Sequence, residues 1–189
     1  MANFYISDTH FDHENIMHYD NRKFKSVSDM NTSMITNWNS VVTPSDTVYI
    51  LGDFCWKTED RWVELLSSLN GNKVLIKGNH DITPSKSRKL FSDVKDYKEI
   101  DDEGRRVVLC HYPIPCFKNH FYGWYHLYGH VHTSFEYNMM EQSKYLMTEL
   151  YTKQCNMYNV GCMLPYMNYT PRTLNEIITG YEEFKVTVK

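Results

Sequence analysis

A chain of 189 residues with 42% apolar and 23% charged residues has the make-up of one globular domain spanning residues 1–189. A chain of that size buries roughly 70% of its unfolded surface, which excludes a disordered tail. A formal net charge of -3 and a pI near 6.3 argue against a dedicated duplex-DNA binder, which carries a basic excess. No apolar run approaches the ~20 residues of a membrane span, and Asp8 interrupts the first apolar stretch before a signal-like segment can form.

Cys55, Cys110, Cys116, Cys155 and Cys162 are odd in number and lack a Cys-x-x-Cys pair. They read as reduced thiols of a cytoplasmic protein, not as a disulfide frame or a structural zinc knot. Residues 3–6 predict a short apolar strand that ends at Ser7-Asp8-Thr9-His10. A loop then enters a short helix, with Asp12 as its cap. The polar loop 20–27 carries Arg22, Lys23 and Lys25, which read first as a solvated face. A helix follows over about 28–42, with Met30, Met34, Ile35 and Trp38 on one core-facing side. The run Thr47-Val48-Tyr49-Ile50-Leu51 predicts a strand buried on both faces that stops at Gly52-Asp53. Gly-Asp alone is equally a turn signal. Beyond it, Thr58 caps a helix in which Trp62, Leu65, Leu66 and Leu69 recur at helical spacing.

Lys73–Lys77 predicts the next buried strand, ending at Gly78-Asn79-His80-Asp81. Strands and helices have alternated to this point, which predicts an α/β fold with parallel neighbours. Residues 84–92 are expected to be helical, with Lys86, Arg88 and Lys89 as a second solvated basic group. Tyr97–Ile100 and Arg105–Leu109 flank Asp101-Asp102-Glu103-Gly104 as a hairpin, and the chain then reaches His111. Further strands near 124–128 and 157–161 end at Gly129-His130-Val131-His132 and at Asn159-Val160-Gly161. The polar, Met-rich stretch 133–156 between them reads as partly helical. Thr173-Leu174-Asn175-Glu176 is a capping box for a short last helix, and Phe184–Val188 reads as a closing strand.

Asp8, His10, Asp53, Asn79, His111, His130 and His132 thus all fall at or just past strand ends. Carboxylate, carboxamide and imidazole without thiolate suit Mn²⁺, Fe, Zn²⁺ or Ni²⁺ better than Ca²⁺. Seven ligands exceed one tetrahedral ion and suit two ions sharing a carboxylate, a device for in-line displacement at phosphorus. Spacing alone does not fix whether all seven converge.

In this order, Asp8-x-His10, Gly52-Asp53, Gly78-Asn79-His80-Asp81, the lone His111 and Gly129-His130-x-His132 resemble the calcineurin-like metallophosphoesterase family. The resemblance implies a four-layer α/β/β/α sandwich of the metallo-dependent phosphatase type, with mixed sheets and a two-metal site at the strand ends. It assigns one metal to Asp8, His10 and His132, the second to Asn79, His111 and His130, and Asp53 to both. It leaves His80 as a non-ligand that protonates the leaving oxygen while a metal-bridging hydroxide attacks. The expected cofactors are two divalent metal ions, manganese first, with iron, zinc, nickel or magnesium as alternatives. The expected activity is hydrolysis of a small phosphodiester or nucleotide-like phosphoester, with Asp53 and His80 catalytic.

Two features depart from the family pattern. Phe54-Cys55-Trp56 follows Asp53 where many relatives place polar residues, and residues 133–158 form a long connection that could serve as a lid or an interface. His13, Asn79 and Arg22 are the candidate substrate contacts, His13 weighed equally against a solvated helix start. His18, His120 and His126 read as surface or core residues. Rival readings are a non-catalytic scaffold of the same fold, a metal-dependent nuclease lacking the usual basic stripe, and an amidohydrolase, for which the chain is short of a ~250-residue barrel.

Overall fold

Side-chain alternation along the strands dictates the layering. The computed structural model describes residues 1–82 and 85–187. Its first sheet contains β1 (Asn3–Ile6), β2 (Thr47–Ile50), β3 (Asn72–Ile76) and β4 (Phe91–Lys95), all parallel and in that spatial order. The second runs β5 (Tyr97–Asp102), β6 (Arg105–Cys110), β7 (Tyr125–Tyr128) and β8 (Asn156–Asn159). It is antiparallel at the β5–β6 hairpin and parallel thereafter. In β1 and β2, Phe4, Ile6, Val48 and Ile50 join the core on one side of the sheet, while Tyr5 and Tyr49 join the core on the other.

On the first side lie α2 (Val27–Val41) and α3 (Glu59–Ser68). Ser26 caps α2 by accepting the Asp29 N–H at 3.1 Å, and Met30, Met34 and Trp38 recur a turn apart on its buried face. Trp62, Leu65 and Leu66 do the same for α3. Both indole N–H groups are satisfied, Trp38 on the Asn70 carbonyl and Trp62 on that of Cys55. Truncating one such indole to alanine costs on the order of 3–5 kcal/mol.

Between the sheets, Tyr5, Tyr49 and Val74 meet Val107, Leu109, Leu127 and Tyr158. The outer face of the second sheet presents Val108, Tyr128 and Met157, which pack with Met140 and Met147 of α4 (Phe135–Tyr151). The layers are therefore helix, sheet, sheet, helix, as the resemblance implies. The stretch between His132 and Asn159 supplies this outer helix. The last helix, α5 (Leu174–Thr187), brings Ile177 and Tyr181 to the core between the sheets. No helix among the described residues is long and apolar enough to cross a membrane.

Four local expectations change. Ser87–Leu90 is a short 3-10 turn and Phe91–Lys95 an edge strand, where a helix was expected over 84–92; residue 84 lies outside the described residues. Among the described residues this strand pairs only with β3, and its half-exposed Phe-Ser-Asp-Val-Lys sequence carries no buried-strand signature. The expected closing strand is helical through Thr187, because the Thr173–Glu176 capping box starts α5 and no Pro interrupts Leu174–Thr187; residue 188 lies outside the described residues. Asp12 does not cap the short α1 (Ile16–Tyr19), whose N-cap is Asn15 without a side-chain bond. Asp12 instead accepts from Arg61 and Asn31. Thr58 occupies the N-cap position of α3 but makes no capping bond.

The edge of the first sheet meets the edge of the second just past β1. Ser7 N–H donates to the Val160 carbonyl at 2.9 Å, and Cys162 N–H to the Ser7 carbonyl at 2.9 Å. This seam brings the C-terminal ends of β1, β2, β3, β6 and β7 to one place.

Candidate metal centre

Past the ends of β1, β2 and β7 the backbone turns sharply, and the turn aims the next polar side chain inward. Asp8, His10, Asp53, His130 and His132 have φ of 55°, 48°, 52°, 69° and 47°. Asp and His tolerate this left-handed region better than most residues, yet each such position costs roughly 1–2 kcal/mol. Hydrogen bonds hold the turns, including Asp8 N–H to the Gly52 carbonyl and His10 N–H to the Asp53 carbonyl. Two motif glycines are required by the same crowding. At Gly52 (φ +87°) a Cβ would run into His111 Nδ1 and lie 2.6 Å from Gly78 N; at Gly129 it would strike Ser7 Oγ and Asp8 Oδ2.

All seven expected ligands converge. The ligand atoms of Asp8, His10, Asp53 and His132 lie within 4.8 Å of one another. His10 Nε2 is 3.3 Å from His132 Nε2, which is 3.5 Å from Asp8 Oδ1. On the other side, Asn79 Oδ1 lies 2.9 Å from His130 Nδ1 and 3.1 Å from His111 Nε2. Asp53 stands between the groups, its Oδ2 3.7 Å from His10 Nε2 and 3.6 Å from His111 Nε2. Convergent imidazole nitrogens and carboxylate oxygens are a donor set that fits divalent metal ions.

Burial keeps His10 and His130 in ligand form. Burial lowers the His10 pKa, and His132 and Arg22 push the same way. Burial followed by His111 likewise lowers that of His130. At His132 burial pulls downward, but the bond to Asp20 and the charges of Asp8 and Asp20 together outweigh it and the pKa rises. Asp20 is the partner that sequence reasoning missed: its Oδ1 is 2.7 Å from His132 Nδ1, which leaves Nε2 facing the centre. His111 is oriented in the same manner by its Nδ1 at 2.7 Å from the Leu51 carbonyl.

Arg22 departs from both expectations for it. Only 4% exposed, it is neither a solvated cation nor a cleft residue. Its guanidinium donates to the Asp8 and Thr9 carbonyls at 2.8 and 2.9 Å and to Asp20 at 2.7 Å. The reason is the left-handed turn at Asp8, which leaves carbonyls inside that need donors. Asp81 plays the matching part on the other side. Its carboxylate accepts from the N–H groups of Asp53, Phe54 and Gly78, while burial raises its pKa to about 6. His126 is a core residue: burial lowers its pKa to about 4, and Nε2 accepts the Ile114 N–H at 3.1 Å.

The centre opens into a cleft of about 580 Å³ lined by His10, Asp53, Asn79, His80, His130 and His132, with Tyr19, Trp56 and Glu136 among the outer walls. His80 is exposed at its edge, and its backbone N–H donates to Asp53 Oδ1 at 3.0 Å. His13 also lines the cleft. It is buried, its Nδ1 has no partner among the described residues, and its ring stacks on Trp56. In the Phe54-Cys55-Trp56 departure, Phe54 and Cys55 are core and only Trp56 reaches the cleft.

The sequence pattern of the calcineurin-like phosphoesterases matches residues 4–154. The chain is 33% identical over 183 residues to the uncharacterized protein MJ1445 of Methanocaldococcus jannaschii, covering 96% of this chain and 92% of that protein. It also resembles the crystal structure of AQ665, a protein of unknown function from Aquifex aeolicus. There the TM-score is 0.70 and the identity 28%, over 94% of this chain and 97% of that one.

Proposed function

Because the chain belongs to the calcineurin-like phosphoesterase family, we propose that it is a two-metal phosphoesterase acting on a small phosphodiester or nucleotide-like phosphoester. The single observation that carries this reading is the Asp53 carboxylate, with one oxygen 3.7 Å from His10 Nε2 and 3.6 Å from His111 Nε2. Asp8, His10 and His132 would hold one ion and Asn79, His111 and His130 the other, with Asp53 common to both. Manganese is the first expectation, ahead of iron, zinc, nickel and magnesium. When bound, such ions activate water near neutral pH and offset charge at phosphorus. His80 hydrogen-bonds the phosphoryl oxygens and donates a proton to the departing oxygen, a role suited to imidazole near pH 7. Asn79 carries an amide N–H₂ that can also meet the phosphate. The cleft volume supports a substrate of nucleotide size. Five free cysteines support a reducing, cytoplasmic setting.

Metal analysis of the purified protein, paired with turnover of generic phosphomonoesters and phosphodiesters, tests the reading. The expected result is two metals per chain, with activity lost in Asp53→Asn and reduced in His80→Ala without loss of metal. One metal or none, with equal background rates in all three proteins, overturns it. Loss of metal from His80→Ala would make His80 a ligand and refute its role as the acid.

A further inference from the structure

Among the described residues, the ring of the general acid assigned above has no hydrogen-bonding partner. Among the described residues, the bond His80 makes is through its backbone N–H, to Asp53. An exposed imidazole with a free ring samples several rotamers, and only some of them face the departing oxygen. What its ring does meet is Trp56, at 4.6 Å between centroids and 57° between planes, and more distantly His10 at 6.1 Å.

Trp56 is itself fixed, though 43% exposed. Its indole stacks in parallel on His13, 4.1 Å away with planes 6° apart, and His13 in turn meets Tyr19 edge-on at 6.4 Å. Its backbone N–H donates to the Phe11 carbonyl at 2.9 Å. His13 is buried, its Nδ1 faces no partner among the described residues, and its ring is held by the stack on Trp56. A column of four rings, Tyr19, His13, Trp56 and His80, therefore runs along the cleft wall.

We propose that Trp56 is the positioning residue for His80, confining the imidazole by ring contact where no hydrogen bond does so. This rests on His80 being the general acid. It gives the apolar Phe54-Cys55-Trp56 segment a function: two residues anchor it in the core, and the third holds the acid. It also assigns His13 to the support of Trp56 and not to the substrate.

The leaving group supplies the test. An alkoxide departs only with a proton, whereas 4-nitrophenolate departs without one, so a misplaced acid slows alkyl esters selectively. Trp56→Ala is expected to lower kcat on an alkyl phosphodiester by about 3–10-fold, the size of one aromatic contact. On the 4-nitrophenyl ester it should change little, with metal content intact. Trp56→Phe should restore most of the loss and Trp56→Leu, which keeps an apolar side chain, should not. His80→Ala is expected to show the same selectivity at larger size, and adding Trp56→Ala to it should cost nothing more.

Equal losses on both esters, or losses that add to those of His80→Ala, overturn the inference while leaving the acid in place. A raised KM at unchanged kcat would make Trp56 a substrate platform and also overturn it. If His80→Ala itself slowed both esters equally, the acid assignment would fall, and this inference with it.

Discussion

On one side of Asp53, Asp8 and His10 are buried, and His132 is locked by Asp20, which Arg22 holds from behind. On the other side, His111 is enclosed, but Asn79 is exposed and His130 half-exposed, and the two lean on each other. Both sides present an imidazole pair with one oxygen donor, yet only the first has a carboxylate behind a ligand ring. A donor that keeps its orientation without the ion loses less freedom on binding it. The first half is therefore expected to bind its ion tightly and the second to exchange it. Ligand identity can be the same on paper while the supporting groups set the affinity.

The largest expected effect erases the difference between the halves. Asp53→Asn removes the charge both sides share, so metal analysis should find both ions diminished. Activity should fall by at least ~10²–10³-fold, the scale for losing one preorganised electrostatic group. Loss of only one ion would show that Asp53 serves a single half and break the symmetry assumed for it.

Next is the brace. The Asp20–Arg22 pair is buried on both sides, with side chains 3% and 0% exposed. Asp20→Asn keeps the shape but leaves the guanidinium without its carboxylate, a change expected to cost about 3–5 kcal/mol in urea unfolding. It should also weaken one ion by ~10–100-fold and spare the other. Equal weakening of both ions would remove the distinction drawn between the halves. Asn79→Ala is the mirror experiment. Its exposed side chain carries little packing, so the expected result is loss of one ion with unfolding free energy changed by less than about 0.5 kcal/mol.

These two positions also mark where the sequence was legible. Asn79 and the other six expected ligands were readable as polar residues just past strand ends, and their assignment to metals came from the family resemblance. The hairpin Tyr97–Cys110 and the α2 and α3 faces were readable from alternation and helical spacing. Asp20 was not, because it meets His132 across 112 residues from a polar loop without period or cap signal. Arg22 looked solvated for the same reason: the carbonyls it satisfies are turned inward by left-handed residues that composition does not reveal. The β4 strand was missed because an edge strand half open to water needs no apolar alternation.

The smallest effect separates the halves by titration. An ion that binds the folded chain and not the unfolded one adds to stability by mass action. Each site contributes RT ln(1 + [M]/Kd), about 2.7 kcal/mol at a hundredfold excess over Kd. For a chain of 189 residues that is roughly 5–10 °C in Tm. Plotted against the logarithm of manganese concentration in chelator-stripped protein, Tm should therefore begin to rise at one concentration and steepen at a second. Asp20→Asn should move the first break towards the second, and Asn79→Ala should abolish the second. A single break in the unmodified protein, unmoved by Asp20→Asn, would mean that the two halves bind as one unit and that the brace behind His132 supports the fold and not the metal.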